Sequence, residues 1–127
     1  TRLCLLPAPS RFEVVGGFWG APARTDPADL RFPDIRDLVD AWRKAPPLAH
    51  MAALATESAM RTTGQRGPDD DPTAHIARAL GALGWQRAHT GAARGLIFAP
   101  GTTPHNAAAA LGEAGYRDIV HFEAGRA

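Results

Sequence analysis

The stretch from Pro72 to Thr103 carries the densest run of start and stop signals in the chain, and it restricts the fold most. Asp71 or Thr73 can accept hydrogen bonds from the free N–H groups of a first helical turn, and Pro72 suits the first helical position. Ile76, Leu80 and Leu83 recur at i, i+4 and i+7, which makes one apolar helix face over 73–83. Gly84 is expected to close that helix in a left-handed conformation. Gln86 and Arg87 then open a polar strand over 85–90. Thr90-Gly91 supplies a hairpin turn, and Leu96-Ile97-Phe98 is a short buried strand within 94–99, stopped by Pro100-Gly101.

The remaining segments build around this unit. Residues 2–6 and 11–19 read as strands joined by a Pro-Ser turn, hence an antiparallel N-terminal pair over 2–19. Phe12, Val14 and Phe18 share one face of the second strand, and Gly16-Gly17 marks a bulge or a close backbone approach. Residues 20–33 are a proline-spaced loop. Asp34 caps a helix running to Lys44, with Ile35, Leu38, Val39 and Trp42 on one stripe, and a second helix spans 48–61. Residues 62–71 are polar and broken by Gly64, Gly67 and Pro68, and are expected to be a mobile loop. A last helix over 104–114, stopped by Gly115, leads into a strand over 116–122. The expected class is a single α+β domain over 1–127, with a helical part at 34–61 and a helix-hairpin-helix-strand part at 72–123.

A weak internal repeat bears on topology. Ala79–Gln86 and Ala110–Arg117 each read as a helix end, a glycine, an aromatic and a polar strand start. If it reflects a duplication, it favours a ferredoxin-like β-α-β-β-α-β plan, with the first strand taken from the N-terminal pair.

Residues 76–100 also resemble the last helix and wing of winged-helix domains. The run Leu83-Gly84-Trp85, then Arg87, a glycine turn and Arg94-Gly95-Leu96-Ile97-Phe98-Ala99-Pro100 is similar to the small domains that follow phage and plasmid primase-helicases. The likeness covers about 25 of the 127 residues. It departs from that pattern in a mildly basic wing and in a long acidic loop where a tight turn is found. The resemblance implies a winged-helix-like nucleic-acid-binding module in a mobile-element setting.

Charge points the same way. The chain has 14 basic and 13 acidic residues, so no strongly basic coat exists, and 45% of it is hydrophobic. Yet no acid lies between Asp71 and Glu113, where Arg78, Arg87 and Arg94 fall. Arg78, Gln86, Arg87 and Arg94, with Arg66 from the preceding loop, are the candidate contacts to DNA or RNA phosphates. The alternative is a partner- or small-ligand-binding α+β domain, a homodimer through a sheet edge among its forms.

Other chemistry is harder to read. The closest pair of the five histidines, His75 and His89, is 14 residues apart, and Cys4 is the sole cysteine, so no metal is expected. Asp69-Asp70-Asp71 lacks the glycine and distant Glu of a calcium loop, and helix N-terminal electrostatics explain it better. Ser10 and Ser58 sit in no nucleophile elbow, and Gly16-Gly17-Phe18-Trp19-Gly20 lacks phosphate-loop spacing. No acid, base and nucleophile constellation is legible, so an enzyme ranks last, with no catalytic residue and no cofactor. No run approaches a membrane span and Arg2–Pro7 is too short for a secretory core, so a cytoplasmic setting without a membrane partner is expected.

Overall fold

β1 (Phe12–Phe18) lies inside a four-stranded antiparallel sheet of order β2-β3-β1-β4, formed with β2 (Gly84–Arg87), β3 (Ala93–Phe98) and β4 (Arg117–Ala124). The structure is a computed structural model that describes residues 6–20, 33–88 and 91–126. The helices are α1 (Arg36–Arg43), α2 (Leu48–Arg66), α3 (Thr73–Ala79) and α4 (Ala107–Glu113). β1 and β2 flank β3, and β3 and β4 flank β1. Each strand-helix-strand unit therefore steps over one antiparallel neighbour, which is the split β-α-β plan raised by the internal repeat.

Alternation separates two faces of the sheet. On the inner face Val15, Trp85, Leu96 and Phe98 meet Ala77 of α3, Ala107 and Leu111 of α4, Ala59 of α2, and Tyr116. α2 crosses the β2 edge. Met51 and Ala52 near its start sit beside Ile97 on the outer face, while Ala59 reaches the inner core. The Thr56 hydroxyl accepts the N–H of Trp85 at 2.9 Å, which closes the β2 edge.

Several sequence expectations hold. The hairpin is present, with Trp85 opposite Leu96 and Arg87 opposite Arg94. Of the two readings of Gly16-Gly17, the close backbone approach holds, since a Cβ on either would come within 2.8 Å of a carbonyl oxygen, while the extra residue of the β1–β4 register shift lies in β4. Asp34 accepts the Arg36 N–H at 3.0 Å, Asp71 accepts the Thr73 N–H at 2.9 Å, and Gly115 is left-handed at φ 97°. Residues 2–5 of the first expected strand, with Cys4, most of the loop at 20–33, and His89-Thr90 lie outside the described residues.

Three expectations are corrected. α2 continues to Arg66, so 62–66 is helix rather than loop. Thr62 is fully buried with its hydroxyl on the Ser58 carbonyl, and packing along β2 outweighs the glycine signal of Gly64. Gly67, at φ 64°, is where that helix stops. Second, α3 ends at Ala79, and Leu83 lies beyond it, 36% exposed. Third, the left-handed residue after α3 is Gly81, at φ 74°, and Gly84 already belongs to β2. The two halves of the repeat thus use different glycines for the same turn: Gly81 follows α3 as Gly115 follows α4.

Candidate functional site

The outer face of the sheet carries a groove of about 520 Å³. Its shape follows from register. One row across the strands reads Gln86, Gly95, Gly16, Val120, so two glycines without side chains stand at the centre. The neighbouring row reads Ile97, Val14, Phe122, of which Val14 and Phe122 form one wall while Ile97 lies under α2, and Phe18 beside Ala93 forms the other. Both glycines are demanded by close approach. A Cβ on Gly16 would come 2.5 Å from the Arg94 carbonyl oxygen, and one on Gly95 would meet Val14 and the Gln86 amide at 3.0–3.1 Å. Phe18, Val120 and Phe122 stay 44%, 52% and 46% exposed. Gln86 and Asp118 supply polar groups at the margin. The lining is concave and mostly apolar with few polar groups, which suits a small molecule.

The arginines proposed from sequence go elsewhere. Arg87 and Arg94 border the groove, but their side chains face the inner side by alternation and bond there. Arg94 is buried, and its Nε donates to the Asp71 carboxylate at 2.7 Å. Its Nη1 donates to the Gly91 and Ala93 carbonyls. Arg87 donates to the Thr63 hydroxyl and to the Gly67 carbonyl. Burial, then the Arg94 charge and more weakly that of Arg66, push Arg87 below the usual arginine range, against the pull of Asp71. Arg87 and Arg94 therefore do come together, but inside the fold with Asp71, and the Arg66 charge acts on Arg87. Arg78 is exposed on α3 and Gln86 is exposed on the outer face, on opposite sides of the sheet. The acid-free stretch is misleading because Asp71, just before it in sequence, is folded back onto it.

The same carboxylate ties further elements. Asp71 also accepts the Thr73 hydroxyl, which in turn touches the Tyr116 hydroxyl. Burial would raise Asp71, but the Thr73 hydroxyl, Arg94 and the Thr73 N–H together hold it below the ordinary carboxylate range. Tyr116 is pushed up to about 12, chiefly by burial.

A second polar cluster lies at the other end of the inner face. Glu13 accepts the Gly101 N–H, the Thr103 hydroxyl and a ring nitrogen of His121 at 2.7 Å. It pins the β3–α4 loop to the sheet. The Gly101 N–H first, then His121, lower the Glu13 pKa from its ordinary 4.5. A depressed carboxylate contributes stability above its unfolded pKa and loses it as pH falls through the folded value. Glu13→Gln should therefore lower Tm at neutral pH, with the gap to wild type closing as pH drops below 4.5. A gap that stays constant across a thermal-melt pH series would show that the charge is not what holds the loop.

Among the described residues no three His, Cys, Asp or Glu side chains gather to hold a metal ion, and no helix is long and apolar enough to cross a membrane. Phe18, Val120 and Phe122 were not singled out as a site from sequence. The available signal was the i, i+2 spacing of Val120 and Phe122 in the last strand. Register alone shows that Phe122 stands opposite Val14, and Val120 opposite Gly16. A scan against protein-family models and searches of curated proteins and of solved structures found no match.

Proposed function

We propose that this is a non-catalytic binding domain that holds a small, largely apolar ligand in the outer-face groove. The observation that carries this reading is the glycine-floored groove walled by the exposed Phe18, Val120 and Phe122. Exposed aromatic and branched side chains clustered around a concavity are what a ligand would cover, since covering them gains about 25 cal/mol per Å² of apolar area. Gln86 offers both a donor and an acceptor to one polar end of the ligand. Asp118 disfavours an anionic group at its side of the groove, so the ligand is neutral or cationic. The nucleic-acid reading has less support, because Arg87 and Arg94 already bond to groups within the fold.

The test uses indole as a neutral aromatic probe against isotope-labelled protein. Amide shifts should concentrate at Gly16, Gly95, Val120 and Phe122. Val120→Glu should weaken binding by at least about tenfold, because it places a charge against the probe. Leu83→Glu, an exposed apolar residue on another surface, should leave binding unchanged. Shifts scattered away from the groove, or equal affinity for Val120→Glu and wild type, would remove the reading.

A further inference from the structure

The two edges of the sheet are treated differently. The β2 edge is closed by α2 through the Thr56–Trp85 bond. Among the described residues β4 has β1 on one side and no strand on the other. The direction of its backbone groups follows by alternation. The Ile97 and Ala93 carbonyls point to the β2 side, where they accept the Leu83 and Ala88 N–H groups. Leu96 and Phe98 then point to β1 and engage Val15 and Glu13. Val14 and Gly16 are left to engage Phe122 and Val120 of β4. The N–H and C=O groups of Ile119, His121 and Glu123 consequently face outward, with no described strand to receive them.

Natural edges are usually blunted by lysine, proline or a bulge. β4 has neither lysine nor proline, and its irregularity is confined to the Arg117–Asp118 end, where Asp118 is left-handed at φ 52°. From Ile119 to Glu123 the edge is regular, with no described strand paired to it. Its outer-face side chains, Val120 and Phe122, are also among the most exposed apolar groups of the domain.

We infer that β4 pairs with β4 of a second copy of this chain, antiparallel and about a two-fold axis at His121. This register places Val120 opposite Phe122 of the second copy, and Phe122 opposite its Val120. Both fall at non-hydrogen-bonded positions, where side chains stand closest. The outward groups of Ile119, His121 and Glu123 fall into hydrogen-bonded positions. Charge order selects the direction. β4 ends with acidic Glu123, which the antiparallel pair sets opposite Ile119, whereas a parallel in-register pair would set Glu123 beside Glu123. Glu123 has room for such a partner, since its nearest cation, Arg11, stands 3.9 Å away with both side chains more than half exposed. The product is an eight-stranded sheet with both grooves on one face. It does not depend on the groove's ligand.

Mass measurement by light scattering across a concentration series tests this without any ligand. The wild type should rise from the 13.4 kDa chain mass to twice that. His121→Pro removes one outward N–H without touching the groove wall, and should stay at the chain mass while still binding indole. Phe122→Lys, which adds an edge lysine at an exposed position, should also stay monomeric and guards against misfolding of the proline variant. In the wild type, the amides of Ile119, His121 and Glu123 should exchange more slowly at high concentration than at low. A wild type at the chain mass throughout, or a dimer that persists in both variants, would overturn the proposal. Loss of indole binding with the dimer intact would count against the ligand reading alone.

Discussion

Arg94→Ala should remove about 3–5 kcal/mol of stability, because it strands a buried carboxylate. The side chains of Arg94 and Asp71 are only 2% and 3% exposed. Asp71 receives the Thr73 N–H and hydroxyl on one oxygen and Arg94 on the other. Arg94 also holds the Gly91 and Ala93 carbonyls. One ion pair thus joins the start of α3, the hairpin and, through the Thr73 and Tyr116 hydroxyls, the entry to β4. A domain of this kind has only about 5–15 kcal/mol in total, so the variant approaches the unfolding threshold. The pair Asp71→Asn with Arg94→Met should cost less than Arg94→Ala alone, since no buried charge is left without a partner. Urea unfolding followed by tryptophan fluorescence measures both. A cost below about 1 kcal/mol for Arg94→Ala, the range of exposed ion pairs, would mean that the guanidinium is solvated rather than buried.

Gly84→Ala should cost about 2–4 kcal/mol, combining overpacking with a lost hydrogen bond. A Cβ there would lie 2.4 Å from the Ala52 carbonyl oxygen and 2.6 Å from the Thr56 hydroxyl. The first obstacle is helix backbone and cannot rotate aside. α2 would have to move off β2, and the Trp85 N–H would lose the Thr56 oxygen. Asparagine distinguishes this from a helix-cap role. Asparagine is tolerated in left-handed caps, so Gly81→Asn should be nearly neutral, at a site with nothing within 4 Å. Gly84→Asn should be at least as damaging as Gly84→Ala. If asparagine restored stability at Gly84, the constraint there would be dihedral rather than steric. Unfolding midpoints of the three variants give the answer directly.

The hairpin was legible because its information is local. Trp85 and Leu96 sit on either side of a turn signal, and no distant residue has to be known to pair them. The paired glycines Gly16-Gly17 were legible as a bulge or a close approach, and the close approach is what the structure has. The end of α2 was not, because Gly64 argues against helix locally while Thr62, buried beside β2, argues for it through contacts far along the chain. Gly84 was visible as an obligatory glycine but assigned to the wrong cause. A left-handed turn and a helix passing overhead leave the same letter in a sequence.

The candidate site divides along the same line. Sequence by itself determined the α+β class, the order of helices and strands over 73–124, the carboxylates of Asp34 and Asp71 that accept the first N–H of α1 and α3, and the apolar character of Val120 and Phe122. These follow from propensity, capping and short-range periodicity, which act within a few residues. Only the tertiary structure decided which face each side chain takes and what meets it there. Strand register turned Arg87 and Arg94 inward onto Thr63 and Asp71, and brought Gly16, Gly95, Phe18 and Phe122 together outward. Register is set by pairing between segments as far apart as Phe12 and Ala124, and a shift of one residue would exchange the two faces.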